Sequence, residues 1–231
     1  MTPRTLLDLG RVSNLPTVWT NVLAGAVLSR GSLEVPTLLL LSSAASLLYI
    51  GGMFLNDAFD RSFDARSRPE RPIPSGRATS SQVFTIGYLL LASALALVAL
   101  VGWGLALAMA AVLAALIVFY DAFHKGNPLS AVVMGLCRAA LYVLAAVTLG
   151  TVNREVGFGA LLLLLYVVGL TAVARKEAKN PRLRGLVGQL IAGICLLDAL
   201  LIALMGLPGL AAIAALGFPL TLAGQCYVKG T

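Results

Sequence analysis

Apolar residues fall in eight long blocks, at about residues 14–30, 36–55, 83–101, 104–120, 129–149, 156–174, 184–205 and 209–227, separated by short polar or Gly/Pro interruptions. Each block approaches the roughly 20 residues that an α-helix needs to cross a hydrocarbon core. Lipid cannot satisfy an open backbone, so helices are the only economical reading. The pattern predicts eight transmembrane helices. Gly102-Trp103-Gly104 and Gly206-Leu207-Pro208-Gly209 mark tight turns between spans three and four and between spans seven and eight. The longer polar connections follow spans two, four and six, so all three lie at one face of the bundle.

Composition strengthens this picture. Of 231 residues, 59% are hydrophobic and 12% charged, with mean hydropathy +0.92, whereas about a quarter of the residues in a soluble domain are charged. The expected fold is all-α: one polytopic helical bundle over residues 1–231 with a polar cap. Arg4 and Arg11 precede an apolar run ending in Ala24-Gly25-Ala26, which imitates a signal peptide, but Asp8 precedes that run and Trp19, Thr20 and Asn21 interrupt it. It reads as a retained first span.

The net charge of +7 fits loops that set membrane orientation better than a nucleic-acid partner, since no stretch forms a basic domain. With the N-terminus inside, fourteen basic residues lie in the cytoplasm: Arg4, Arg11, Arg61, Arg66, Arg68, Arg71, Arg77, Lys125, Arg175, Lys176, Lys179, Arg182, Arg184 and Lys229. Two, Arg30 and Arg154, fall outside, and Arg138 lies within span five. That asymmetry predicts an integral membrane protein of the bacterial cytoplasmic membrane, with both termini and its polar chemistry on the cytoplasmic side. Cys137, Cys195 and Cys226 are widely spaced in apolar stretches, without metal or disulfide spacing, and are expected to be buried small apolar residues.

Charge concentrates in residues 56–77, NDAFDRSFDARSRPERPIPSGR. If span two continues helically through residue 64, Asp57, Asp60 and Asp64 share one face, with Asn56 beside them. Such hard oxygen ligands suit Mg²⁺, which retains waters and shares its remaining positions with phosphate oxygens. Closely packed carboxylates repel one another unless a cation neutralises them, and acids at a membrane helix end are functional candidates by default. Pro69, Pro72 and Pro74 then stiffen a loop carrying Arg71 and Arg77, and Arg grips phosphate bidentately. Acids for a metal and fixed Arg together predict a diphosphate site.

A second polar loop contains Tyr120, Asp121, His124 and Lys125. Lys125 offers a point charge to phosphate, and Asp121 either joins a metal shell or orients Lys125. His124, the only histidine, reads as an interfacial residue. Arg138 and Asp198 either pair within the bundle or line its cavity.

These residues resemble the UbiA superfamily of intramembrane prenyltransferases. The resemblance rests on Arg11-Val-Ser-Asn14-Leu-Pro-Thr in span one, NDAFDRSFD in the form NDxxDxxxD, RPIPSGR directly after it, and residues Tyr120 to Lys125. Residues 134–142 and the loop after span six are similar to its EboC-like branch. The resemblance implies a helical bundle with a cytoplasm-facing cap over a lipid-accessible cavity. It also implies a transferase moving an isoprenoid chain, an alkyl group other than methyl, from a prenyl diphosphate to an aromatic or other nucleophilic acceptor with Mg²⁺. In that reading Asn56, Asp57, Asp60 and Asp64 hold magnesium, Arg71, Arg77 and Lys125 neutralise the diphosphate, and Asn14 and Tyr120 line the cavity.

The family pattern has a second acidic motif after span six, where this chain has only Glu177, among Arg175, Lys176 and Lys179. Two readings stay open: a single-metal transferase in which Arg175 or Lys176 replaces the second ion, with Glu177 as an auxiliary ligand, or a prenyl-diphosphate or lipid binder with little turnover. A CDP-alcohol phosphatidyltransferase needs DGxxAR and a later GxxxDxxxD, and neither is present. A transporter lacks its midplane broken-helix signal.

Overall fold

In the computed structural model, residues 1–177, 185–228 and 230 are described. An eight-residue helix, α1 (Pro3–Gly10), and a 3₁₀ turn (Val12–Asn14) lead into α2 (Leu15–Leu28). The chain then forms α3 (Val35–Phe59), a short α4 (Arg61–Ser67), α5 (Ser80–Val101) and α6 (Leu105–Phe123). It continues through α7 (Ser130–Leu149), α8 (Arg154–Glu177), α9 (Leu186–Leu204) and α10 (Pro208–Tyr227). Eight of these helices match the eight apolar blocks. Seven are long and apolar enough to cross a membrane, and the protein is an integral membrane protein.

The exception is α2, whose 14 residues reach only about 21 Å at 1.5 Å per residue. It packs against α3, α7, α8, α9 and α10, so it sits largely within protein and faces little lipid. Thr17, Thr20 and Asn21 are all buried in it: the two hydroxyls donate back to the carbonyls of Asn14 and Thr17, and Asn21 finds its partner on α9, in Asp198.

Sequence chemistry sets many of the helix ends. Pro lies in the first turn of α2, α3 and α10, where the missing N–H costs nothing. Thr79 and Gln82 form a capping box at α5. Gly104 and Gly206 take left-handed φ values of +65° and +79° in the two turns read from the sequence, although Pro208 and Gly209 belong to α10. Close packing of α3 on α5 depends on absent side chains: a Cβ on Gly51 would stand 3.0 Å from the Gly87 carbonyl oxygen.

Helices α3, α6 and α8 each run about one turn past their apolar blocks at the same end of the bundle, to Phe59, Phe123 and Glu177. Backbone hydrogen bonding continues beyond the last apolar residue, so Asn56, Asp57, Asp121 and Arg175 are carried on rigid helix rather than on loops. The expected unbroken helix through residue 64 is instead two helices meeting at Asp60, whose N–H still bonds the Asn56 carbonyl at 2.9 Å.

Candidate active site

An apolar cavity of about 190 Å³ lies among α3, α6, α7, α8 and α9. Leu48, Met53, Leu113, Ile117, Leu141 and Ile194 form much of its wall, and Arg11, Asn14, Tyr120 and Asp121 are its polar contributors near the capped end. A second depression of about 520 Å³ is lined by Tyr120, His124, Lys125, Ser130, Thr171 and Arg175. Tyr120 belongs to both walls.

Beside the cavity mouth, Asp57, Asp60 and Asp64 are 4%, 7% and 1% exposed. Asp57 Oδ1 accepts from Arg11 Nη2 at 2.9 Å and from Arg71 Nη1 at 2.6 Å. Arg71 Nε also stands 3.9 Å from Asp64 Oδ2. Asp60 Oδ2 takes Lys125 Nζ at 2.9 Å and His124 Nε2 at 3.5 Å. The Asn56 amide joins the groups by donating to Asp121 Oδ1 at 3.1 Å and accepting from Arg11 at 3.4 Å.

The Pro-rich loop is positioned from below. Pro72 and Ala78 are buried, and Ile73 packs on the cluster of Leu9, Phe54, Ala58 and Val83. Ser75 N–H and Oγ both bond the Arg71 carbonyl, and Gly76 supplies the positive φ of +75° that closes the turn. These contacts fix the Arg71 backbone so that its guanidinium reaches back to the acids.

Ionisation follows from these contacts. Burial favours neutral Asp60, but hydrogen bonds from His124 and Lys125 outweigh it and hold the carboxyl below its ordinary range. Burial pushes Asp64 up; Arg71 opposes this, while Asp57 and Asp60 reinforce it. Burial also works against the His124 imidazolium, yet its bond to Asp60 raises its pKa overall.

The expected magnesium cage is not preformed: among the described residues, no three His, Cys, Asp or Glu side chains converge to hold a metal ion. Arg and Lys balance the carboxylates instead. The donor set nevertheless fits the ion. Each of Asp57, Asp60 and Asp64 directs its contacts with protein cations to one oxygen, and Asp121 directs its bond from Asn56 to one oxygen, leaving the other without a described partner. Asp64 Oδ1 and Asp121 Oδ2 are buried in that state, a costly condition for a polar atom. Four hard oxygens suit Mg²⁺, which needs only one or two direct carboxylates beside waters and phosphate oxygens.

Other expectations divide. Asn14 and Tyr120 line the cavity; Asn14 also donates to Tyr49 at 3.1 Å and to the Gly230 carbonyl at 2.9 Å. Arg175 reaches the Lys125 groove and donates to Ser130 at 2.8 Å, while Lys176 is exposed. Arg77 points away from the acids in this structure, held by Asp8 at 3.4 Å and the Glu70 carbonyl at 2.7 Å. The Glu177 side chain lies outside the described residues. Asp121 bonds Asn56 rather than orienting Lys125. His124 has partners in Asp60 and in a stacked Tyr120 ring 4.9 Å away. The cysteines are free, but only Cys195 is buried; Cys137 is half-buried because it lines the apolar cavity, and Cys226 is exposed near the end of α10.

Sequence reasoning missed Arg11 as a site residue. Its left-handed φ of +43° ends α1 and turns the side chain onto Asp57; its place three residues before Asn14 in the first-span motif was the available signal.

Comparison with known proteins identifies the fold and the family. Among curated relatives, digeranylgeranylglyceryl phosphate synthase of Methanopyrus kandleri is 34% identical over 133 residues, covering 57% of this chain and 48% of that protein. The enzyme of the same name from Methanothrix thermoacetophila is 33% identical over 127 residues, covering 54% and 47%. The chain thus spans about half the length of these relatives. Two solved structures share the fold: one concerning digeranylgeranylglyceryl phosphate synthase in membranes, with a TM-score of 0.65 at 19% identity and coverage of 95% and 94%, and an apo UbiA homolog from Aeropyrum pernix K1, with 0.65 at 18% and coverage of 94% of each chain. The family model for UbiA prenyltransferases matches residues 17–228, and the chain belongs to the UbiA prenyltransferase family.

Proposed function

We propose that this protein transfers an isoprenoid chain from a prenyl diphosphate to a nucleophilic acceptor, at the membrane face that carries its basic loops. The distribution of Lys and Arg supports a cytoplasmic assignment for that face. The observation that carries the reading is the join at Tyr120 between an apolar cavity and a groove bearing Lys125 and Arg175, beside buried Asp57, Asp60 and Asp64. A greasy tail fits the first and a diphosphate the second.

Asp57, Asp60, Asp64 and Asn56 are the proposed magnesium donors, with Asp121 added. When bound, Mg²⁺ supplies positive charge to the departing diphosphate. Lys125 and Arg175 contribute fixed charge from the protein, and Arg71 and Arg11 orient Asp57. The allylic C–O bond breaks with its electron pair leaving on diphosphate, the acceptor nucleophile bonds to that carbon, and the acceptor proton passes to water at the mouth. The apolar wall keeps water from the electron-deficient carbon. The relatives' name directs attention to a phosphate-bearing lipid acceptor, and the EboC-like resemblance names none.

The test incubates purified protein with labelled prenyl diphosphates of several lengths, Mg²⁺ and candidate acceptors, beside an Asp57→Ala, Asp60→Ala variant. Asp-dependent transfer with release of diphosphate is expected. Binding without release across donors and acceptors would replace the transferase reading with that of a binder.

A further inference from the structure

One buried polar group within the bundle has no part in the diphosphate site. Asp198 on α9 is 0% exposed; Asn21 Nδ2 donates to its two oxygens at 3.1 and 2.8 Å, and the Tyr142 hydroxyl donates to Oδ1. Asn21 Oδ1 then accepts from Arg138 Nη1 at 3.0 Å. Only this orientation of the amide works, because the reverse would set its oxygen against the carboxylate and its hydrogens against the guanidinium.

A guanidinium carries five N–H donors. Among the described residues, Arg138 spends one, on a neutral amide, while it lies 5.5 Å over the Tyr49 ring and forms part of the cavity wall. Tyr49 precedes Asp57 by eight residues on α3, placing Arg138 about 12 Å from the cap along the helix. Direct pairing with Asp198 would have neutralised both charges; with Asn21 interposed, Asp198 is satisfied and the fork of Arg138 has no further partner among the described residues.

We propose that Arg138 is the acceptor-recognition residue, its guanidinium fork binding an anionic oxygen group, a carboxylate or a phosphate monoester, at the polar end of an amphiphilic acceptor inside the cavity. This rests on reading the cavity as a prenyl-transfer site. Arg matches such planar or tetrahedral oxygen groups with paired hydrogen bonds, and apolar walls strengthen the attraction. A neutral acceptor of the same length leaves the fork unpaired, which is how a polar site rejects an analogue lacking the matching group.

The full chain in nanodiscs of zwitterionic lipid is titrated with dodecanoate, dodecyl phosphate and dodecanol, and separately with farnesyl thiolodiphosphate plus Mg²⁺. Wild type is expected to favour at least one anionic probe over dodecanol by about tenfold or more; which one distinguishes carboxylate from phosphate. Arg138→Gln abolishes that preference, while Arg138→Lys keeps a weaker preference and, by its melting transition, confirms a folded bundle. Asp57→Asn with Asp60→Asn does the reverse, losing thiolodiphosphate and keeping the preference. An equal preference in wild type and Arg138→Gln, or none in wild type, overturns the proposal. Loss of the preference in Arg138→Gln, with thiolodiphosphate bound by no variant and not by wild type, would keep the anion site and refute the prenyl-transfer reading.

Discussion

Among the described residues, four carboxylates at the cap each give one oxygen to a protein donor and keep the other, whereas deeper in the bundle Asp198 gives both oxygens away and Arg138 keeps most of its hydrogens. The cap has spare acceptors and calls for a cation. The deeper cluster has spare donors and calls for an anion. In a bundle where burying an unpaired polar group is expensive, the hydrogen-bonding capacity left over is a better guide to the ligand than the charges present, because both regions contain acid and base.

The strongest way to break this contrast is to remove the spare acceptors. Asp57→Ala with Asp60→Ala is expected to lower prenyl transfer by about 1,000-fold, the upper end of what one set of positioned charges contributes; transfer assays under saturating Mg²⁺ check it. Removing the satisfied acid should act on stability instead. Asp198→Ala leaves the Arg138 charge without its distant counter-ion and Asn21 without an acceptor, at a cost of about 3 kcal/mol, read as a lowered denaturation midpoint that Arg138→Met in the same chain partly restores. If Asp198→Ala leaves stability unchanged, the relay does not hold the bundle.

A smaller change separates the groove from the acids. Arg175→Ala should weaken donor binding about tenfold, the loss of one charge-assisted contact, while Lys176→Ala changes it less than twofold. Equal losses would mean that the two are not distinguished by position. The smallest expected effect is a titration. The imidazole of His124 should titrate above its ordinary 6.5 and fall back in Asp60→Asn, as followed by NMR. Because this pKa is raised on folding, the contact stabilises the protein fully below about pH 6.5, and that contribution is lost as pH rises through the raised value.

Much of the fold was legible because hydropathy alone dictates a membrane bundle: all eight spans lie within four residues of their helices at either end. The overshoots at Phe59, Phe123 and Glu177 were not, since polar side chains at a helix end hide the continuing backbone. At the site, short-range spacing keeps Asp57, Asp64 and the Pro-spaced Arg71 together, although the single helix expected to carry the acids divides at Asp60. Arg77 shares that spacing but turns outward to Asp8, a partner 69 residues away that spacing does not encode. The same holds for Asn21 and Asp198, 177 residues apart, and for Arg11, whose single left-handed residue redirects an ordinary basic flank onto the acids.

The most direct measurement of the central contrast replaces Mg²⁺ with Mn²⁺ and follows its electron paramagnetic resonance signal in the presence of a non-hydrolysable prenyl thiolodiphosphate. Wild type should show a bound ion that depends on the diphosphate, lost in Asp57→Asn with Asp60→Asn and kept in Arg138→Gln. An ion signal unchanged by the Asp substitutions, or removed as fully by Arg138→Gln, would contradict the assignment of the cap's spare oxygens to a divalent cation.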